Sequence, residues 1–210
     1  MTMRTRLNAV LAVLVAATVW GALVAGSQAY PLPSALEKSW TLEVSYRTPR
    51  PILVADADGT PHWYWYLPYT VVNRSNADRM FVPEVLVAGD GGAVVHANQD
   101  IPVHVFSAIK ARLNDRYLVD PVKAVGKLLQ GDDNALDSVA IWPAAEKPGV
   151  RLRIFFGGLS GETEAVKNPV TGQEMPQLSK TLMLEYQTPG KPPTPAEQPV
   201  LFESGTWVMR

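Results

Sequence analysis

The chain contains no cysteine. That absence excludes disulfide frameworks, thiolate metal and iron–sulfur sites, cysteine nucleophiles and a lipidated cysteine. Histidine is nearly absent too. Only His62, His96 and His104 occur among 210 residues, none spaced as H-x-H or H-E-x-x-H, so no local metal motif exists. Charge of one sign is also lacking: 19 basic residues stand against 20 acidic ones, leaving no general field for nucleic acid. With 47% hydrophobic residues, the chain is too apolar for a disordered protein.

Long apolar runs are lacking as well, with one exception. Residues 1–29 begin with Arg4 and Arg6, continue through an almost wholly apolar stretch from Ala9 to Ala25, and end in Ser27-Gln28-Ala29. This pattern predicts a signal peptide cleaved after Ala29. An uncleaved anchor is the alternative, because about 17 apolar residues approach the length that spans a bilayer. The mature chain would be residues 30–210, with 17 basic and 20 acidic residues and a net charge near −3. The expected location is outside the inner membrane, in the periplasm, at the cell surface or beyond.

The rest reads as mainly β. Trp40 to Tyr46 alternates apolar and polar residues with period two. Asp58-Gly59 predicts a hairpin, after which residues 62–73 form one aromatic and β-branched strand, kinked or edge-exposed at Pro68. Asp90-Gly91-Gly92 predicts another hairpin. Two helices are expected between 102 and 130. Phe106, Ile109 and Leu113 have helical spacing, and Asp120-Pro121 precedes an apolar stripe of Val122, Val125, Leu128 and Leu129 that stops at Gly131. Strands follow at 139–142, 150–156 and 180–186. Five prolines between Pro189 and Pro199 predict an extended connector. Residues 200–210 are then expected to dock as an edge strand of the same domain, or to pair with a neighbouring molecule. The domain is therefore taken as residues 30–188 with its helical insertion at about 102–130, followed by the connector 189–199.

Tyr69 to Ser75, with Val71-Val72-Asn73-Arg74-Ser75 at its end, is followed by Phe81-Val82-Pro83, a Gly91-Gly92 turn, and Leu129 to Asp132 leading into Ser138 to Trp142. This series resembles the exported immunoglobulin-like domains of bacteria. Gly157 to Glu162 (GGLSGE) and Lys180 to Tyr186 (KTLMLEY) are similar to segments of exported bacterial proteins of uncharacterised function. The resemblance covers about residues 40–190 and implies an immunoglobulin-like antiparallel β-sandwich in the cell envelope. It implies no reaction, and the helical insertion departs from a minimal domain of this kind.

Searching for chemistry yields little. Asp56-Ala57-Asp58-Gly59 begins like a calcium loop, but the twelfth position is Leu67 where glutamate is required. Ser160 lies in G-L-S-G, not G-x-S-x-G, and no phosphate-cradling glycine motif occurs. A glycosidase pair could be drawn from Asp132, Asp133, Glu162 and Glu164, yet nothing selects two of them. Asn73-Arg74-Ser75 has the form of an N-glycosylation acceptor. In the aromatic run, Trp63, Trp65, Leu67, Tyr69 and Val71 share one face of a strand, and His62, Tyr64, Tyr66 and Thr70 the other. The second face either binds a ligand through His62, Tyr64 and Tyr66 or is covered by the helices. The expectation is an exported, non-enzymatic binding or structural module without cofactor or metal, whose partner is a protein or glycan of the envelope. A hydrolase of envelope or extracellular polymer is the alternative.

Overall fold

The computed structural model describes residues 32–56, 58–90, 92, 94–144, 150–165, 172–173, 177–188 and 200–210. The expected signal segment 1–29 and the expected connector 189–199 lie outside the described residues. The body, Leu32–Arg210, is mainly β and its strand ladders are antiparallel.

The first sheet is organised around β3 (Pro61–Val72), whose 12 residues are the longest strand. β8 (Leu136–Pro143) pairs with residues 64–71 on one edge. β1 (Glu43–Tyr46) and β2 (Arg50–Ala55) pair with residues 69–72 and 61–66, so they lie end to end along the other edge. Pro68 is therefore central rather than at an edge. A strand residue points its N–H and C=O to the same side. Because the Pro68 carbonyl accepts from Arg47 N–H at 3.0 Å, the donor that proline lacks faces the break between β1 and β2. A proline in a central strand is tolerated there because its neighbour is interrupted.

The second sheet runs β12–β11–β9–β5–β6, from β12 (Leu201–Met209) through β11 (Leu178–Gln187), β9 (Arg151–Gly157) and β5 (Glu84–Gly89) to β6 (Val94–His96). The C-terminal segment thus pairs within its own chain, with a register shift at Glu185/Tyr186. β10 (Thr163–Glu164) adds two residues beside the start of β11. A separate ribbon joins β4 (Arg79–Phe81) to β7 (Gly126–Leu128).

One face of each sheet supplies a shared core. Trp65, Leu67, Tyr69 and Val71 of β3 join Ala140 and Trp142 of β8, Val85 and Val87 of β5, Ile154 and Phe156 of β9, and Leu182, Leu184 and Tyr186 of β11. The odd-numbered face of β3 is therefore interior, as its aromatic and branched residues require. Tyr69 meets Phe156 edge to face at 4.8 Å between ring centroids. Burial pushes the Tyr69 hydroxyl up to about 12 from an ordinary 10.0, and that of Tyr186 upward as well. A raised folded value means stability is complete below about pH 10 and declines as pH rises through 12, where unfolded tyrosine ionises first. We expect a loss of about 2–3 kcal/mol from Tyr69 over that interval, measured as a falling urea midpoint and partly restored in Tyr69→Phe.

The opposite face of the first sheet carries a second core. Ile52, Val54, Tyr64, Tyr66, Val139 and Ile141 are covered by Val105 and Ile109 of α1 (Val103–Leu113) and by Leu118. The second expected helix, 121–130, does not form. Asp120 caps one turn, accepting Val122 N–H at 2.9 Å on Oδ1 and the N–H groups of Lys123 and Ala124 on its carbonyl. The chain then extends into β7 opposite β4. A helix there would have no surface for its stripe, and Val122, Val125 and Leu129 indeed stand exposed while Leu128 enters the main core. Gly126, a poor helix former, sits where that helix would continue. The helical insertion thus contracts from 102–130 to α1.

Candidate functional site

The helix is too short for the sheet it covers. Eleven helical residues span about 17 Å, whereas the 12 residues of β3 span about 40 Å. Beneath α1 the outer face of β3 presents Tyr64 and Tyr66. Along the same face follow the buried Pro68 and the partly exposed Thr70, the latter paired across the ladders with Ser45 of β1 and Asp137 of β8. Pro68 and Thr70, with Asp137 of β8 and the C-terminal half of α1, line a groove of about 1130 Å³.

The walls follow from local sequence. Asn114 ends α1 in the left-handed conformation, φ 50°, which asparagine tolerates better than most residues. The following loop folds back along the free side of β8, where Val119 N–H donates to the Asp137 carbonyl at 2.8 Å and Ser138 Oγ donates to the Val119 carbonyl at 2.9 Å. Lys110 Nζ spans the loop by donating to the Leu118 carbonyl at 2.7 Å. This wall carries Asp115, Arg116 and Tyr117. Across the sheet, the opposite wall is Ser45 to Arg47, at the end of β1.

The groove mixes polar and apolar groups and carries more positive than negative charge: Arg47, Lys110 and Arg116 against Asp115 and Asp137. Thr70 Oγ1 donates to Asp137 Oδ1 at 2.5 Å across the floor, and Asp115 Oδ1 accepts Tyr117 N–H at 2.9 Å. Arg116 lies over the Tyr117 ring at 4.6 Å from its centroid. That ring is exposed, at 68%. No histidine lines the groove.

No family model, curated protein or solved structure matches the chain. The groove is therefore read from its own geometry.

The residues singled out from the sequence lie elsewhere. Tyr66 is fully buried and Tyr64 nearly so, both under α1. The outer-face recognition surface is corrected accordingly: these rings have no open face, and of the two alternatives for that side of the strand it is the helix that covers it. His62 remains half exposed, with Nε2 3.1 Å from Asp56 Oδ2. His104, in the first turn of α1, approaches Asp56 Oδ1 at 3.4 Å, so one carboxylate ties the hairpin to the helix. Among the described residues no group of three or more His, Asp or Glu side chains is arranged to hold a metal ion.

The other candidates are structural. Ser160 Oγ donates to the Trp40 carbonyl at 2.9 Å. Gly158, at φ 79°, would place an added Cβ 2.1 Å from the Val82 carbonyl oxygen, so the GGLSGE segment serves close backbone packing. Glu162 is buried and accepts Ser34 N–H at 3.0 Å, with Lys180 Nζ at 3.2 Å. These donors hold its carboxyl below the usual range. Asp132 is paired with Arg74, which also reaches Glu43. Of the four acids considered for glycosidase chemistry, Glu162 and Asp132 are committed to different partners, Lys180 and Arg74. Asn73 is fully buried and its amide donates to the Ala77 and Leu128 carbonyls at 3.0 and 2.9 Å. In the folded chain it is an interior strut with no accessible amide for a glycan.

The sequence reasoning missed Arg47, Asp115, Arg116, Tyr117 and Asp137. One signal was available: the outer-face series His62, Tyr64, Tyr66 gives way to Pro68 and Thr70 along a single strand.

Proposed function

We propose that this protein is an exported, non-enzymatic binding module of the cell envelope, built on an immunoglobulin-like sandwich, whose ligand lies in the groove beside the C-terminal end of α1. The observation that carries this reading is a groove of about 1130 Å³ lined by the exposed Arg47, Arg116 and Tyr117 side chains and by no histidine. Three of its hydroxyls are engaged with the scaffold: Thr70 with Asp137, Ser107 with the Val103 carbonyl and Ser138 with the Val119 carbonyl. Such a surface positions a ligand through shape and hydrogen bonds. The sandwich is supported by two antiparallel sheets that bury their facing sides in one core. Export is supported by the basic start, apolar run and small-residue site of 1–29. Among the described residues, no helix is long and apolar enough to cross a membrane.

The second reading is hydrolysis, favoured by Asp115 and Asp137 lining one groove. Incubation with neutral and acidic oligosaccharides, followed by mass spectrometry, separates the two. A binding module retains a sugar chain at its original mass, whereas chains shortened with the gain of one water would establish the hydrolase. Failure of every oligosaccharide and every envelope component to bind would remove the groove assignment. Mass spectrometry of the protein from the envelope fraction tests export: the chain should begin at Tyr30, and an intact Met1 terminus would replace the signal with an anchor.

A further inference from the structure

The groove's arginines point to the charge of its ligand. Arg74 is matched within the fold with Glu43 and Asp132, Arg153 with Glu185, and Arg79 with Ser75 and Asn76, whereas other exposed arginines such as Arg50 and Arg112 have no carboxylate partner among the described residues; Arg116 itself donates to Tyr117 Oη at 2.5 Å. Arg47 and Arg116, on opposite walls of the groove, have no carboxylate within ion-pair distance among the described residues. They stand on either side of a floor whose only acid is Asp137, and Thr70 already occupies one of its oxygens. A chain of net charge −1 therefore presents an excess of positive charge at this concavity, against its overall balance.

From this arrangement, and resting on the groove being the binding site, we infer that the ligand is a carboxylate-bearing oligosaccharide. Guanidinium groups bind carboxylates through paired N–H donors, and two walls bearing one arginine each suit acidic groups spaced along an elongated chain. Sugar hydroxyls find acceptors and donors in Asp137 Oδ2, Ser45 and Ser107, the last two exposed. The exposed Tyr117 ring, already stacked by Arg116 on one side, offers an apolar platform to a sugar ring. A peptide fits less well. The floor is a sheet face, not an open edge, so its backbone groups are spent within the ladders and cannot add a strand.

The test is calorimetric titration of the full chain with three probes of similar length: tetragalacturonate, cellotetraose and tetraglutamate. Tetragalacturonate should bind, weaken as salt is raised from about 50 to 300 mM, and lose about tenfold or more in affinity in Arg47→Ala/Arg116→Ala, with the thermal midpoint unchanged because both side chains are exposed. Tyr117→Ala should weaken it without altering the salt dependence. Equal binding of cellotetraose, unaffected by the arginine variant, would overturn the anionic ligand and keep the groove. Equal or tighter binding of tetraglutamate would overturn the carbohydrate. Binding of none of the three would overturn this inference, and the groove assignment falls with it only if the wider envelope components also fail to bind.

Discussion

Truncating Tyr66 to alanine is expected to lower the unfolding free energy by about 3–5 kcal/mol, while Tyr66→Phe changes it little or raises it. The ring is fully buried between the outer face of β3 and the apolar side of α1, packed with Val105, Ile109, Val139 and Ile141. Removing it opens a cavity that strand and helix backbones cannot close, so the cost is the lost transfer of an aromatic side chain plus the void. The hydroxyl behaves differently. Tyr66 Oη is buried without a hydrogen-bond partner, and deleting an unsatisfied buried polar atom removes a desolvation penalty. Urea denaturation of both variants decides the matter. A small effect of Tyr66→Ala would return this residue to the surface as a recognition candidate and detach α1 from the sheet.

Asn73→Ala is expected to cost about 2–4 kcal/mol and to act first on the β4–β7 ribbon. Asn73 donates to the Leu128 and Ala77 carbonyls and accepts from Ser75 N–H and Ser75 Oγ, at 3.1 and 2.7 Å. Its own carbonyl accepts Gly131 N–H at 3.0 Å, beside a bridge to Gln130. One buried side chain thus links the end of β3 to the ribbon that contains Phe81 and Leu128. Alanine leaves the buried Leu128 carbonyl without this donor, which is costlier than the mean worth of a hydrogen bond. Hydrogen exchange should show loss of protection concentrated at residues 79–81 and 126–128. Uniform loss across both sheets would instead place Asn73 in the global core.

These two residues mark how far the sequence could be read. The alternation along β3 revealed its interior face, because Trp65, Leu67, Tyr69 and Val71 repeat with the strand's own period, and a run of 12 residues leaves little room for another register. The helix at 103–113 was legible for the same reason, from apolar residues at local spacing. Residues 121–130 misled because Asp120-Pro121 forms a helix start in either outcome. What ends the helix after one turn is pairing with Arg79–Phe81 and capture by Asn73, both some 50 residues away in sequence. Tyr64 and Tyr66 were visible as one face of a strand, but only the place where α1 lands decides whether such a face is covered.

The groove was less legible still. It arises from the difference in length between one helix and one strand, from the gap between β1 and β2 where Arg47 stands exposed, and from a loop that returns to β8. None of these produces a motif. Each is a relation between elements separated by 20 to 70 residues, and the groove residues Ser45, Thr70, Arg116 and Asp137 are unremarkable in their local surroundings.

The proposed seat of the ligand is the groove between β1, the end of α1 and β8, and amide chemical-shift mapping during titration with tetragalacturonate locates it. Perturbations are expected at Ser45–Arg47, Thr70, the 107–118 segment and Asp137. Perturbations centred on Asp56, His62 and His104, or along β12, with the groove amides unmoved, would contradict it.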